Sequence, residues 1–129
     1  MRNNRGVTLF ETVAAMTLVA ITAVSAMAAV GAELRTAEKA RHTLEAEALA
    51  TTRLDQLALL TDRELLSLPD TIAQGDFEAP LADYSWETTS AASNAQAGVY
   101  DVVVTVSWPT GRYTITSALY RRPAVPSAR

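Results

Sequence analysis

Apolar positions crowd the front of the chain and then sort into two periodicities. From Val7 to Ala32 the sole charge is Glu11, and Thr12 to Ala32 is an uncharged run of 21 residues. Coiled as a helix at ~1.5 Å per residue, such a run crosses the hydrocarbon core of a bilayer. Eight of its residues are alanine. Small side chains let helices approach closely, so this segment suits packing against other helices as well as lipid. Past Ala32 charges return without a helix breaker, Gly31 being the one Gly or Pro between Val7 and Pro69. Glu33 to about Leu60 is rich in Ala, Leu, Glu and Arg, all strong helix formers. Leu34, Ala37, Arg41, Leu44, Ala48, Thr51, Leu54 and Leu57 recur at spacings of three and four, an amphipathic stripe. Ion-pair support is partial: Glu38 has Arg41, but Leu49 stands where a base would follow Glu45. Val7 to Leu60 therefore reads as one helix of about 80 Å, and Leu65 to Asp70 closes the helical region.

Period-two patterning takes over from there. Thr71 to Pro80, holding Gly75, Asp76 and Glu78, reads as a surface connection. Tyr84, Trp86 and Thr88 then alternate with Ser85, Glu87 and Thr89. After a polar loop over 90–98 comes the clearest strand, with Tyr100, Val102, Val104, Val106 and Trp108 on one face. Pro109 to Arg112 supplies a turn, and Tyr113, Ile115, Ser117 and Leu119 continue on a third strand. Three antiparallel strands with one apolar face need a cover, which the amphipathic half of the long helix provides. The expected fold is α+β: a long N-terminal helical spine packed on a small antiparallel sheet. Arg121, Arg122 and Pro123 end the sheet, ahead of a tail over 124–129.

Composition narrows the chemistry. The chain has 129 residues, no cysteine and one histidine, which excludes disulfide scaffolds, thiol nucleophiles, Cys-ligated zinc and His-clustered metal sites. A net charge of −3 argues against a broad nucleic-acid-binding face. No phosphate loop, nucleophile elbow or paired catalytic carboxylates occur, so neither an enzyme nor a cofactor is expected. Asp70, Asp76, Glu78 and Asp83 lack the alternating spacing of a calcium loop and read as an acidic surface loop. His42 reads as a solvated or filament-facing residue, and Trp86 and Trp108 as core residues of the sheet face.

Arg2 and Arg5 precede the apolar run and Glu33 follows it, which keeps the N-terminus cytoplasmic and sends the remainder across the membrane. An ordinary secretory signal with a cleavage site at Ala26-Met27-Ala28 is the alternative, giving a mature start near Ala29. Glu11 speaks against it, because an acid at the front of such an apolar region has no role there. A charge in the membrane costs at least ~2.5 kcal/mol at the centre and less near the interface. Keeping it implies a use.

Arg5-Gly6-Val7-Thr8-Leu9-Phe10-Glu11 resembles the N-terminus of type IV prepilins. The resemblance implies a leader over 1–6, cut by prepilin peptidase between Gly6 and Val7, with N-methylation of Val7. Glu11 is then the fifth mature residue, as in that family; Val7 departs from its usual Phe. It further implies that Glu11 pairs with the N-terminal amine of an adjacent subunit and so sets axial register in a filament. Physically, a carboxylate in lipid or a filament core seeks a cation, and the new amine lies about 6 Å from Glu11 along the helix. The domains that follow are a filament-core and transmembrane helix over 7–32, its amphipathic continuation over 33–68, and a β head with tail over 69–129. The Ala50–Leu57 stretch, the Trp-bearing strand and the Val-x-Val strand look like the I-type minor pseudopilin of type II secretion systems. Partners implied are sister pilin or pseudopilin subunits, prepilin peptidase and an inner-membrane assembly platform. Location implied is the inner membrane, with an extracytoplasmic head. A minor or competence-type pilin, a secreted domain behind an ordinary signal, and a permanently anchored envelope protein stay open.

Overall fold

The computed structural model describes residues 8–122. It contains α1 (Leu9–Leu57), α2 (Asp62–Leu66), α3 (Asp70–Ala73), β1 (Gln74–Asp76), β2 (Ser85–Ala92), β3 (Val99–Trp108) and β4 (Gly111–Tyr120). A long N-terminal helix followed by a small antiparallel sheet is the α+β fold that the periodicities predict. The chain divides into two compact units, one ending at Ala40 and one beginning at Arg41.

In the first unit the large apolar side chains of α1 lie on its surface: Phe10, Met16, Val19, Val24, Met27 and Val30 are all exposed. This helix is long and apolar enough to cross a membrane. Its four hydroxyls between Thr12 and Ala32 are each satisfied inside the helix. Thr12 and Thr17 donate to the Thr8 and Val13 carbonyls at 3.4 and 2.8 Å, and Thr22 and Ser25 to Val19 and Ile21 at 2.9 and 2.8 Å. Such back-bonding leaves no side-chain polar atom of this stretch asking for water.

The second unit is the head. Its sheet has the order β1-β2-β3-β4 with every neighbour antiparallel, a meander. Alternation on β3 buries Tyr100, Val102, Val104 and Val106, as the sequence pattern predicts. Ala46, Ala50 and Leu57 of α1 and Leu65 of α2 complete the buried core. Ala46 and Ala50 share this buried cluster with the β3 valines, where a larger side chain would need room.

Four expectations are corrected. The helix does not continue to Leu60 or Leu68: α1 stops at Leu57 and α2 starts afresh at Asp62. Thr61 restarts it, its N–H donating to the Glu64 carboxylate at 2.8 Å, one arm of a Thr-x-x-Glu capping box. The buried stripe is rotated from the expected one. Leu34 and Leu44 are exposed and Ala46 and Ala50 buried, while Leu54 and Leu57 of the expected stripe do reach the core. The segment read as a surface connection contains α3 and a fourth strand, β1, whose Gly75 lies opposite Trp86. Finally, Glu45 does have a base, Arg41 one turn earlier at 2.9 Å.

Both tryptophans cover a glycine of the neighbouring strand. Trp86 lies over Gly75 and Trp108 over Gly111, their register partners, so that neither glycine has room for a Cβ. The small residue makes the seat, and the indole restores the buried area that glycine lacks.

Candidate functional site

Glu11 sits at the third position of α1, and the helix start is built around it. The Thr8 N–H and Thr8 Oγ1 approach Glu11 Oε2 at 3.1 and 3.3 Å, and the Glu11 N–H donates to Thr8 Oγ1 at 3.2 Å. This is a reciprocal capping box, with the acid also where the helix dipole favours a negative charge. Thr-x-x-Glu ahead of an apolar run is the sequence signal for this cap. Both Thr8 bonds go to one carboxylate oxygen. From Glu11 a shallow groove runs up one side of the helix past Thr12, Ala15, Met16, Val19, Ala20 and Ala23. Their spacing by three and four makes this one face, small enough in its side chains to admit a second helix closely. Gly6 and Val7, the expected cleavage and methylation positions, lie outside the described residues.

Within the head, the other residues singled out in the sequence fall into contacts that join α1 to the sheet. His42 is half-buried rather than solvated: its Nδ1 is 2.6 Å from the Tyr84 hydroxyl, and its ring stacks near Trp108 at 20° between planes. Tyr84 in turn donates to Glu45 Oε2 at 2.7 Å. With its proton given to Glu45, the Tyr84 oxygen accepts from His42, which places a proton on His42 Nδ1. The Tyr84 and Arg41 bonds hold the Glu45 carboxyl below its ordinary range. Burial first, and Glu45 second, push the Tyr84 hydroxyl up to about 12. No gap in sequence spacing reveals this network, because it spans residues 41 to 84.

Arg53 lies over the Trp86 ring at 3.4 Å from its centroid and over Phe77 at 5.2 Å. Partial burial there lowers its pKa. Arg121, read from sequence as the end of the sheet, reaches the end of α1 instead. Its Nη2 donates to the Ala58 and Leu60 carbonyls, and Nε also reaches Leu60 O at 3.2 Å. It closes a helix that carries no base in its last turn.

Asp70, Asp76, Glu78 and Asp83 are not gathered around a common centre; among the described residues no three carboxylate or imidazole groups are placed to hold a metal ion. The features that stand out are therefore an exposed apolar helix with a capped acid at its front, and a head tied to the C-terminal part of that helix. Compared with known proteins, the chain matches no family model, no curated protein and no solved structure.

Proposed function

We propose that this chain is a structural subunit of a type IV pilus-like filament, cut between Gly6 and Val7 and N-methylated on Val7. The observation that carries the reading is the part of α1 over residues 9–32. It is apolar on every side, its hydroxyls are satisfied internally, and its front holds a single acid. Lipid accommodates such a helix first, and neighbouring helices of a filament afterwards. Within this reading the Glu11 carboxylate faces the Val7 amine of an adjacent subunit, and the Arg2 and Arg5 leader stays cytoplasmic. Prepilin peptidase and an assembly platform in the same membrane are the partners it requires. The protein has a scaffolding role and no catalysis of its own. The I-type minor pseudopilin of type II secretion is the finer form of the reading, supported by the sequence pattern over 50–57 and the strands that follow.

N-terminal mass spectrometry on protein from its native host tests this directly. The expected chain starts at Val7 and is heavier by one methyl group. A start near Ala29 would establish an ordinary secreted domain, and an intact N-terminus a permanent anchor; either result overturns the proposal.

A further inference from the structure

The two edges of the sheet differ in length and in charge, and they match each other. β4 presents ten residues to one side with neither Pro nor Lys to guard them, unlike most exposed edges. The Arg121 N–H bonds Gly98 O at 2.7 Å in line with the β3–β4 register. Bonded positions alternate in an antiparallel ladder. Arg112, Thr114, Thr116, Ala118 and Tyr120 therefore turn their backbone groups to the open edge. On the opposite edge the Phe77 N–H bonds Tyr84 O at 3.0 Å, so Gln74 and Asp76 turn theirs outward.

One row of side chains crosses the outer face from edge to edge: Asp76, Ser85, Ser107, Arg112. Its ends carry opposite charge. Asp76 shares a polar groove with Asp70 and Glu87, and among the described residues neither Arg112 nor Asp76 has an ionic partner. Strand neighbours lie about 4.8 Å apart, so the three spacings between Asp76 and Arg112 forbid a bridge within one head.

We propose that these edges join neighbouring copies of the chain: β4 of one head adds to β1 of the next, with Arg112 opposite Asp76 and Thr114 opposite Gln74. Sliding a head sideways along its own sheet leaves every copy oriented alike. Because the first and last strands of a four-strand meander run in opposite directions, the new pair is antiparallel. Arg112, Thr114, Asp76 and Gln74 all belong to the outward-bonding sets, so their phases agree. The other arrangement, two β4 strands paired about Thr116, sets Arg112 opposite Tyr120 and leaves the acids of β1 unused. A head-to-tail contact repeats from copy to copy unless its rotation closes a ring. It deepens the filament reading and rests on that reading only for the common orientation of the heads.

The chain has no cysteine, which makes pairing directly measurable in the full-length protein. Copies carrying Arg112→Cys and Asp76→Cys under different tags are co-expressed and oxidised in isolated membranes. Directly opposed residues of a bonded pair have Cα atoms ~5.5 Å apart, within disulfide reach. The expected product is a mixed dimer bearing both tags, absent when either variant is expressed alone. The Thr114→Cys and Gln74→Cys pair gives the same product and leaves the charges free to be varied. In that background Arg112→Asp lowers the yield by about three-fold, and Asp76→Arg on the other copy restores it, a modest effect suited to an exposed pair. No mixed dimer, or a dimer of Thr116→Cys with itself, overturns the proposal. Alkaline extraction of the same membranes separates the two readings. Cross-linked protein released as soluble material means that the anchored-filament reading fails and the edge pairing stands; retained protein that does not cross-link means the reverse. All the substituted positions are exposed, so native tryptophan emission from Trp86 and Trp108 confirms that each variant is folded.

Discussion

Tyr84 donates its hydroxyl proton to Glu45 at 2.7 Å, and this bond between sheet and helix makes the head sensitive to pH at both extremes. The bond holds Glu45 below its unfolded value of 4.5. A depressed carboxylate adds stability above that value and loses it as pH falls through the folded one. Tyr84 is raised from 10.0 to about 12. A raised group adds stability below its unfolded value and loses it as pH rises through the folded one. Tyr84→Phe removes the tyrosine's own titration and the Tyr84 part of the Glu45 depression, leaving the part due to Arg41. The gap in denaturation midpoint between the natural chain and this variant, read by tryptophan fluorescence, is expected to be constant from about pH 5 to 9. It narrows below 4.5, as Glu45 takes up a proton and Tyr84 loses its charged acceptor, and again above 10.0, as Tyr84 ionises. A gap independent of pH would mean that Tyr84 acts by packing alone.

Arg53 supports the head through the face of Trp86, not through an acid. A guanidinium against an indole contributes about 0.5–2 kcal/mol according to how far it is desolvated, and Arg53 is half-buried. Arg53→Ala is expected to cost about 1–2 kcal/mol, since it also exposes part of Trp86 and Phe77. Arg53→Lys keeps the charge and loses the flat stacking surface, so it recovers less than half of that. Denaturant titration of the three proteins checks the order; a lysine variant as stable as arginine would reduce the contact to simple charge.

The strands were legible where the pattern was long. Val102, Val104 and Val106 alternate over a ten-residue strand buried on one face, and period two leaves little choice there. β1 was not, because Gln74-Gly75-Asp76 is three residues of turn-like composition. Only the indole of Trp86, far along the chain, makes Gly75 a strand residue. The helix stripe is displaced for a related reason: hydrophobicity ranks Leu44 above Ala46, but Ala46 is the one buried in the core and Leu44 is exposed. The acid at Glu11 was visible by spacing from Val7, whereas its local bond to Thr8 competes for the same residue and was passed over. Contacts such as Arg121 with the end of α1 join residues some sixty positions apart, which a linear pattern does not encode.

Gly75 is fixed by contact. A Cβ at this position would fall against the Trp86 ring, and at Gly111 it would lie 2.7 Å from Trp108 Cζ2. Neither indole is a flexible chain end, so the ring or the strand must move. Gly75→Ala is expected to destabilise the head by about 1–3 kcal/mol, the range for overpacking, with a shift in Trp86 emission. Gly75→Ala combined with Trp86→Leu recovers part of the loss, because the clash goes with the ring. An unchanged midpoint for the single variant would show that β1 yields without cost.

Arg121 stands in for the missing base at the end of α1. Arg121→Ala leaves the Ala58 and Leu60 carbonyls to water and is expected to cost about 1 kcal/mol. The loss is local. Hydrogen exchange of amides around residues 57–60 quickens, while those of Val102 and Val104 keep their protection. Uniform quickening throughout the head would instead assign Arg121 to the global fold.

Two roles meet on the Glu11 carboxylate, and one substitution separates them. Thr8→Val removes the hydroxyl from the capping box and leaves the acid in place; Glu11→Gln removes the charge and keeps an oxygen that can accept the Thr8 N–H. If the charge pairs with a neighbouring amine, Glu11→Gln blocks entry into filaments while the chain still inserts in the membrane. Thr8→Val then assembles, because losing one cap costs about 1 kcal/mol in a helix held by lipid and by neighbours. If the acid serves only to cap its own helix, the two variants behave alike. Quantifying each in sheared filaments and in the membrane fraction distinguishes the cases, and equal incorporation of both would remove the intersubunit role from Glu11.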